Sequence, residues 1–72
     1  MDVFSERMKQ LRIENGLTQQ EVADVLDIDR KTVTGYESSG RMPQKPQVLI
    51  DIANLFDTTI DYLYGATDKV KK

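Results

Sequence analysis

Cysteine and histidine are both missing from the 72 residues. Their absence excludes disulfides and removes the usual ligands of zinc and other transition metals, so no zinc finger, metal site or cofactor site is expected. A lack of cysteine also fits a reducing cytosol. No apolar run approaches the roughly 20 residues of a membrane span, and the stretch from Met1 to Arg7 has no signal-peptide core. The expectation is a soluble, cytoplasmic protein with no membrane partner and no evident small-molecule ligand. Basic excess is missing too. The net charge of -2 argues against a protein that coats a polyanion by charge alone. Repeats, low-complexity tracts and Pro/Gly/Ser linkers are absent. The length allows one domain, whose thin stability margin oligomerisation would help.

What is present is helical periodicity. Phe4, Met8 and Leu11 recur at i, i+4 and i+7, and Gly16 supplies a stop. Thr18-Gln19-Gln20-Glu21 is a capping box opening a second helix, whose inner positions are Val22, Ala23 and Leu26. Asp27-Ile28 leads to Asp29, whose carboxylate is expected to N-cap a third helix running through Glu37. Arg41-Met42-Pro43-Gln44-Lys45-Pro46 cannot stay helical, and Pro46 suits the first turn of a fourth helix. Apolar residues from Val48 to Phe56 cover most of that helix, which predicts the central, most buried element. Thr59 caps a short fifth helix presenting Ile60, Leu63 and Tyr64, and Gly65 ends it. No segment alternates as a strand does. The fold class is therefore all-α: a five-helix domain over residues 1–65, followed by a charged, flexible, solvated tail at 66–72.

Two short helices joined by a tight turn, as over residues 18–37, form the corner of a helix-turn-helix, whose second helix enters a DNA major groove. On the third helix Val33 and Tyr36 point inward with Glu37 beside them, while Lys31, Thr34, Gly35 and Ser38 point away and Arg30 sits at the flank. This outer face is short, polar and positive. Residues 30–47 hold Arg30, Lys31, Arg41 and Lys45 against Glu37 alone. Cations are mildly unfavourable at a helix N-terminus, so Arg30 and Lys31 are either an ordinary solvated helix start or residues kept for a phosphate or guanine edge. Gly35 costs about 1 kcal/mol relative to Ala inside a helix. It is either a neutral substitution or a place where a side chain would collide with DNA. Arg12 extends the stripe of the first helix and Glu37 that of the third, so a salt bridge between them is expected, the alternative being that each reaches solvent separately.

Leu11-Arg12, Gly16-Leu17-Thr18-Gln19-Gln20-Glu21-Val22-Ala23 and Arg30-Lys31-Thr32-Val33-Thr34-Gly35-Tyr36-Glu37 together resemble the Cro and lambda-repressor-like helix-turn-helix regulators. The likeness covers about residues 4 to 64, including the Ile60-Asp61-Tyr62-Leu63-Tyr64-Gly65 ending common in prophage-type repressors. It implies a transcriptional regulator, most simply a repressor, bound to a double-stranded DNA operator. It places Arg30, Lys31, Thr34 and Gly35 against bases, and Thr18, Gln19, Ser38, Arg41 and Lys45 against phosphates. The Arg12–Glu37 pair is then structural. Three departures stand out: Asp27 where the family usually has Gly, Ser38-Ser39 in place of Asn-Gly, and a loop toward Ala53 one residue longer.

Other classes have less behind them. Without His or Cys, catalysis would rest on Asp51, Asp57 and Asp61, which fall at solvent-side or capping positions, so no enzyme is expected. A protein-binding antitoxin or adaptor using the same fold is the main rival. One such domain offers few base contacts, which calls for a homodimer on two half-sites. Ile60, Tyr62 and Tyr64 are the interface candidates, although Ile60 and Leu63 could equally close the core.

Overall fold

Gly16 takes a left-handed conformation (φ 69°), and the chain turns there out of its first helix into the next. The structure is a computed structural model describing residues 2–71, and among these it holds α1 (Val3–Glu14), α2 (Gln19–Leu26), α3 (Arg30–Ser38), α4 (Pro46–Leu55) and α5 (Ile60–Tyr64). Met1 and Lys72 lie outside the described residues. No described helix is long and apolar enough to cross a membrane.

Local chemistry explains most of the boundaries. Asp2 caps α1 by accepting from the Ser5 amide at 2.9 Å. Thr18 and Glu21 form the expected capping box, with Thr18 Oγ1 accepting from the Glu21 amide and Glu21 Oε1 from the Thr18 amide. Pro46 opens α4, where its missing N–H costs nothing. Thr59 caps α5 by accepting from the Tyr62 amide, and Gly65 leaves it at φ 83°.

One cap differs from expectation. Asp29 stands at the N-cap of α3, but its carboxylate makes no capping hydrogen bond. The Asp29 carbonyl accepts the Thr32 amide at 3.0 Å, so the tightened first turn uses the donor that the carboxylate would have taken.

The core gathers Phe4, Met8 and Leu11 of α1, Val22, Ala23 and Leu26 of α2, Val33 and Tyr36 of α3, Leu49, Ile52 and Ala53 of α4, Phe56, and Leu63 of α5. Here the expectation for α4 is corrected. Val48 and Leu55 are only half-buried and Ile50 is exposed, so α4 closes one side of the core. The middle is α3, which packs against both α1 and α2. Its short inner face of Val33, Tyr36 and Glu37 fits between two neighbours, whereas α4 has more apolar circumference than it has partners. Ser5 strengthens the α1–α3 seam, its buried hydroxyl donating to the Tyr36 carbonyl at 2.6 Å.

The segment expected as a solvated tail is folded back through Lys71. Arg7 on α1 donates to the carbonyls of Tyr62 and Thr67 and to the Asp68 carboxylate, and its guanidinium stacks 4.1 Å from the Tyr62 ring centroid. Buried Thr58 donates its hydroxyl to the Val70 carbonyl and forms an isolated antiparallel bridge with Lys71. A charged sequence hides this docking because the groups that hold the segment are mostly its own backbone carbonyls.

Candidate nucleic-acid interface

Arg12 and Glu37 meet in a two-pronged contact beneath the α2–α3 corner: Nε donates to Oε2 at 2.7 Å and Nη2 to Oε1 at 3.0 Å. The third arm of the guanidinium, Nη1, donates to the Leu17 carbonyl at 3.0 Å. The Glu37 side chain is 2% exposed, so this pair replaces water almost entirely. The hydrogen bond to Glu37 raises the Arg12 pKa above its ordinary value, against the opposing effect of burial.

From this pair a relay of polar groups runs to the surface. Gln19 Nε2 donates to Glu37 Oε1 at 3.2 Å. An ion-paired carboxylate can only accept, so the Gln19 amide is fixed with nitrogen toward Glu37 and oxygen toward Thr34, both on α3. That oxygen accepts from Thr34 Oγ1 at 2.9 Å, while the carbonyl of Arg30 offers Thr34 a second acceptor at 3.1 Å. The start of α2 is thereby joined to the middle of α3 at a fixed spacing.

Asp27, in the turn between the two helices, adopts the left-handed conformation (φ 57°) that a glycine would take more easily. With this turn the corner is complete. A family profile described as helix-turn-helix matches residues 8–63, spanning the corner and the helices that support it. The chain belongs to the helix-turn-helix family. It is 44% identical over 61 residues to the HTH-type transcriptional regulator YqaE of Bacillus subtilis (strain 168), itself described as uncharacterized, covering 85% of this chain and 52% of YqaE. It is 34% identical over 69 residues to the HTH-type transcriptional regulator ImmR of the same organism, covering 96% of this chain and 54% of ImmR. The chain thus spans about half the length of the curated relatives it matches. Among solved structures, a transcriptional regulator from Listeria innocua superposes with a TM-score of 0.80 at 33% identity, over 93% of this chain and 62% of that one. The biofilm master regulator SinR, solved in complex with DNA, shares the fold with a TM-score of 0.73 at 22% identity, over 83% of this chain and 95% of SinR. The family is one of regulators and not of enzymes.

In this helix-turn-helix domain Arg30 and Lys31 are exposed, and among the described residues neither side chain has a hydrogen bond or ion pair. Thr34 and Gly35 are half-buried beside them. Ser38 is exposed, with its hydroxyl proton donated to the Thr34 carbonyl at 2.7 Å, so it faces outward as an acceptor. Thr18 uses its oxygen in the cap and keeps its hydroxyl proton. Arg41 and Lys45 lie on the opposite flank of α3 from Gln19, along an open cleft of about 890 Å³ between α3 and α4. Burial in that wall pushes the Tyr36 pKa up, and the nearby charge of Arg41 partly offsets it.

The expected interface residues are not equivalent. Ile60 packs against the core, and Tyr62 lies half-buried under Arg7. Tyr64 alone is well exposed, at 48%, with its ring 6.3 Å from that of Phe4. Sequence reasoning passed over Arg7 and Ser5. Arg7 carried the same signal as Arg12, a cation on the edge of the α1 apolar stripe, but its partners are backbone carbonyls that no sequence pattern marks.

Proposed function

We propose that this chain binds double-stranded DNA sequence-specifically as a homodimeric repressor, with α3 in the major groove. The carrying observation is the outer face of α3, where Arg30 and Lys31 stand free of internal partners beside the small residues Thr34 and Gly35. A helix exposed only to water has no use for unpaired cations at its positive end, whereas a groove of acceptors and phosphates does.

The relay beneath that face supports the reading. With one Gln19 amide hydrogen held by Glu37, the other is left for a phosphate oxygen, as is the Thr18 hydroxyl proton. Lys45 adds a cation on the far flank, and Ser38 meets the backbone through water or by releasing its bond to Thr34. Two copies would place their α3 helices about 34 Å apart on half-sites one helical turn apart, with Tyr64 central to the interface and Ile60 and Tyr62 at its margin. The protein would then act in the cytoplasm, on the nucleoid. SinR, whose fold it shares, has been solved with DNA, in keeping with this reading.

Selection from a random pool of DNA duplexes, followed by titration at several salt concentrations, tests it. The selected site binds with log K falling against log salt by about 0.9 per neutralised phosphate. A flat salt response with no selected sequence overturns the proposal and favours the protein-binding reading. Lys31→Ala relaxes base preference, while Gln19→Ala weakens all duplexes alike.

A further inference from the structure

Gly35 sits in the middle of α3, where glycine is disfavoured, on the face turned from the core. What fills the space above it is Arg41. A methyl group built on Gly35 would stand 3.1 Å from Arg41 Cδ and 3.7 Å from its Nε, with Ser39 Oγ at 3.5 Å. The first distance is shorter than the 3.5–4.0 Å of ordinary carbon contact. The return of the chain is anchored at the same residue: the Gly35 carbonyl accepts the Ser39 amide at 3.1 Å, the Ser39 hydroxyl at 3.0 Å and the Arg41 amide at 3.3 Å. Glycine here lets the 39–41 turn lay an arginine stem across the helix. The guanidinium is left with no hydrogen bond or ion pair among the described residues, and the residue is exposed.

We propose that Arg41 is a specificity residue, reading a guanine edge from the position that a side chain at Gly35 would otherwise hold. The inference rests on the reading of α3 as the groove helix. Lys31 and Ser38 lie one turn to either side of Gly35 on the same face, so the stem seated on Gly35 borders that face, with the α3–α4 cleft on its other side. A guanidinium free of partners offers the planar fork that matches guanine O6 and N7. Gly35 and Arg41 then act as one unit.

The test uses the duplex selected by the wild-type chain and its single-base-pair variants. Arg41→Ala should lose about tenfold of the discrimination at one G·C pair and little elsewhere, and Arg41→Lys should lose the same discrimination while keeping the salt slope. Gly35→Ala should reproduce the loss in the wild-type background and add nothing to Arg41→Ala, because the methyl acts by displacing the stem. A uniform weakening on every duplex by Arg41→Ala, with the salt slope falling by about one, would overturn the proposal in favour of a phosphate contact. A further loss from Gly35→Ala in the Arg41→Ala background would overturn it too, since DNA itself would then require the glycine. Thermal melting without DNA gives an independent arm. Gly35→Ala should raise Tm by about 4–8 °C in the Arg41→Ala background and by clearly less in the wild type. Equal rises would mean that the stem does not constrain position 35. If the wild type selects no sequence, the DNA-binding reading fails and takes the readout with it, while melting still reports on the contact.

Discussion

Two arginines five residues apart on α1 each hold a different part of the chain, and they do so under different conditions. Arg12 grips the α2–α3 corner through Glu37, with side-chain exposures of 13% and 2%. Arg7 grips the C-terminal segment through two carbonyls, the Tyr62 ring and Asp68, where the exposures are 19% and 99%. In the first pair both charges have left water, so neither can do without the other. In the second the acid is fully hydrated, and the hold comes from backbone acceptors and the ring. The corner should therefore fail all at once, and the C-terminal segment piece by piece.

Glu37→Ala should break the corner most severely. It strands the Arg12 guanidinium in a largely dry site and should cost about 3–5 kcal/mol, a large share of the stability of so small a domain. Urea unfolding measures it. A double replacement, Arg12→Met with Glu37→Met, should recover most of that loss, because no uncompensated charge remains. The double variant should still bind DNA weakly, since nothing then fixes the Gln19 amide. If its affinity returned with its stability, the relay to Gln19 would not matter for binding.

Arg7→Ala should have the next largest effect, about 1–2 kcal/mol, through loss of the carbonyl bonds and the ring stacking. Hydrogen exchange should show protection lost over 66–71 while α3 keeps its own. Loss of protection at α3 as well would mean that the two regions form one cooperative unit.

The corner was the more legible region. A capping box, an apolar stripe and the paired positions Arg12 and Glu37 are all periodic facts about side chains, and periodicity is what a sequence displays. The burial of α4 was misjudged because its apolar residues exceed what α2 and α5 can cover, a matter of how many neighbours a helix meets. Residues 66–71 were misread because they dock through carbonyls, which every sequence possesses. At Asp29 the side chain was suited to capping, but the tight turn had already satisfied the amide. On the binding face, Arg30 and Lys31 could be placed by a helical wheel, whereas the seat of Arg41 on Gly35 depends on a turn path that the wheel does not contain.

The two regions share a smaller strain. Asp27 closes α2 and Asp57 follows α4, both in the left-handed region at φ 57° and 52°. Replacing either by glycine removes a steric cost and adds unfolded-state freedom, so a net gain of at most about 1 kcal/mol is expected. Thermal melting should show similar rises for the two. A much larger rise for Asp27→Gly would mean that the corner is held under more strain than the C-terminal half.

The smallest effect is expected from Asp68→Asn. The ion pair to Arg7 is short, at 2.9 Å, but a fully hydrated carboxylate gains little from a partner that it already meets through water. The carbonyls of Tyr62 and Thr67 remain as acceptors, so Tm should stay unchanged and exchange protection over 66–71 should persist, in low salt and high salt alike. A salt-dependent loss of protection matching that of Arg7→Ala would place the hold in the surface charge pair. The contrast between the two arginines would then be one of degree, both acting through a carboxylate, and the C-terminal segment would loosen at high ionic strength.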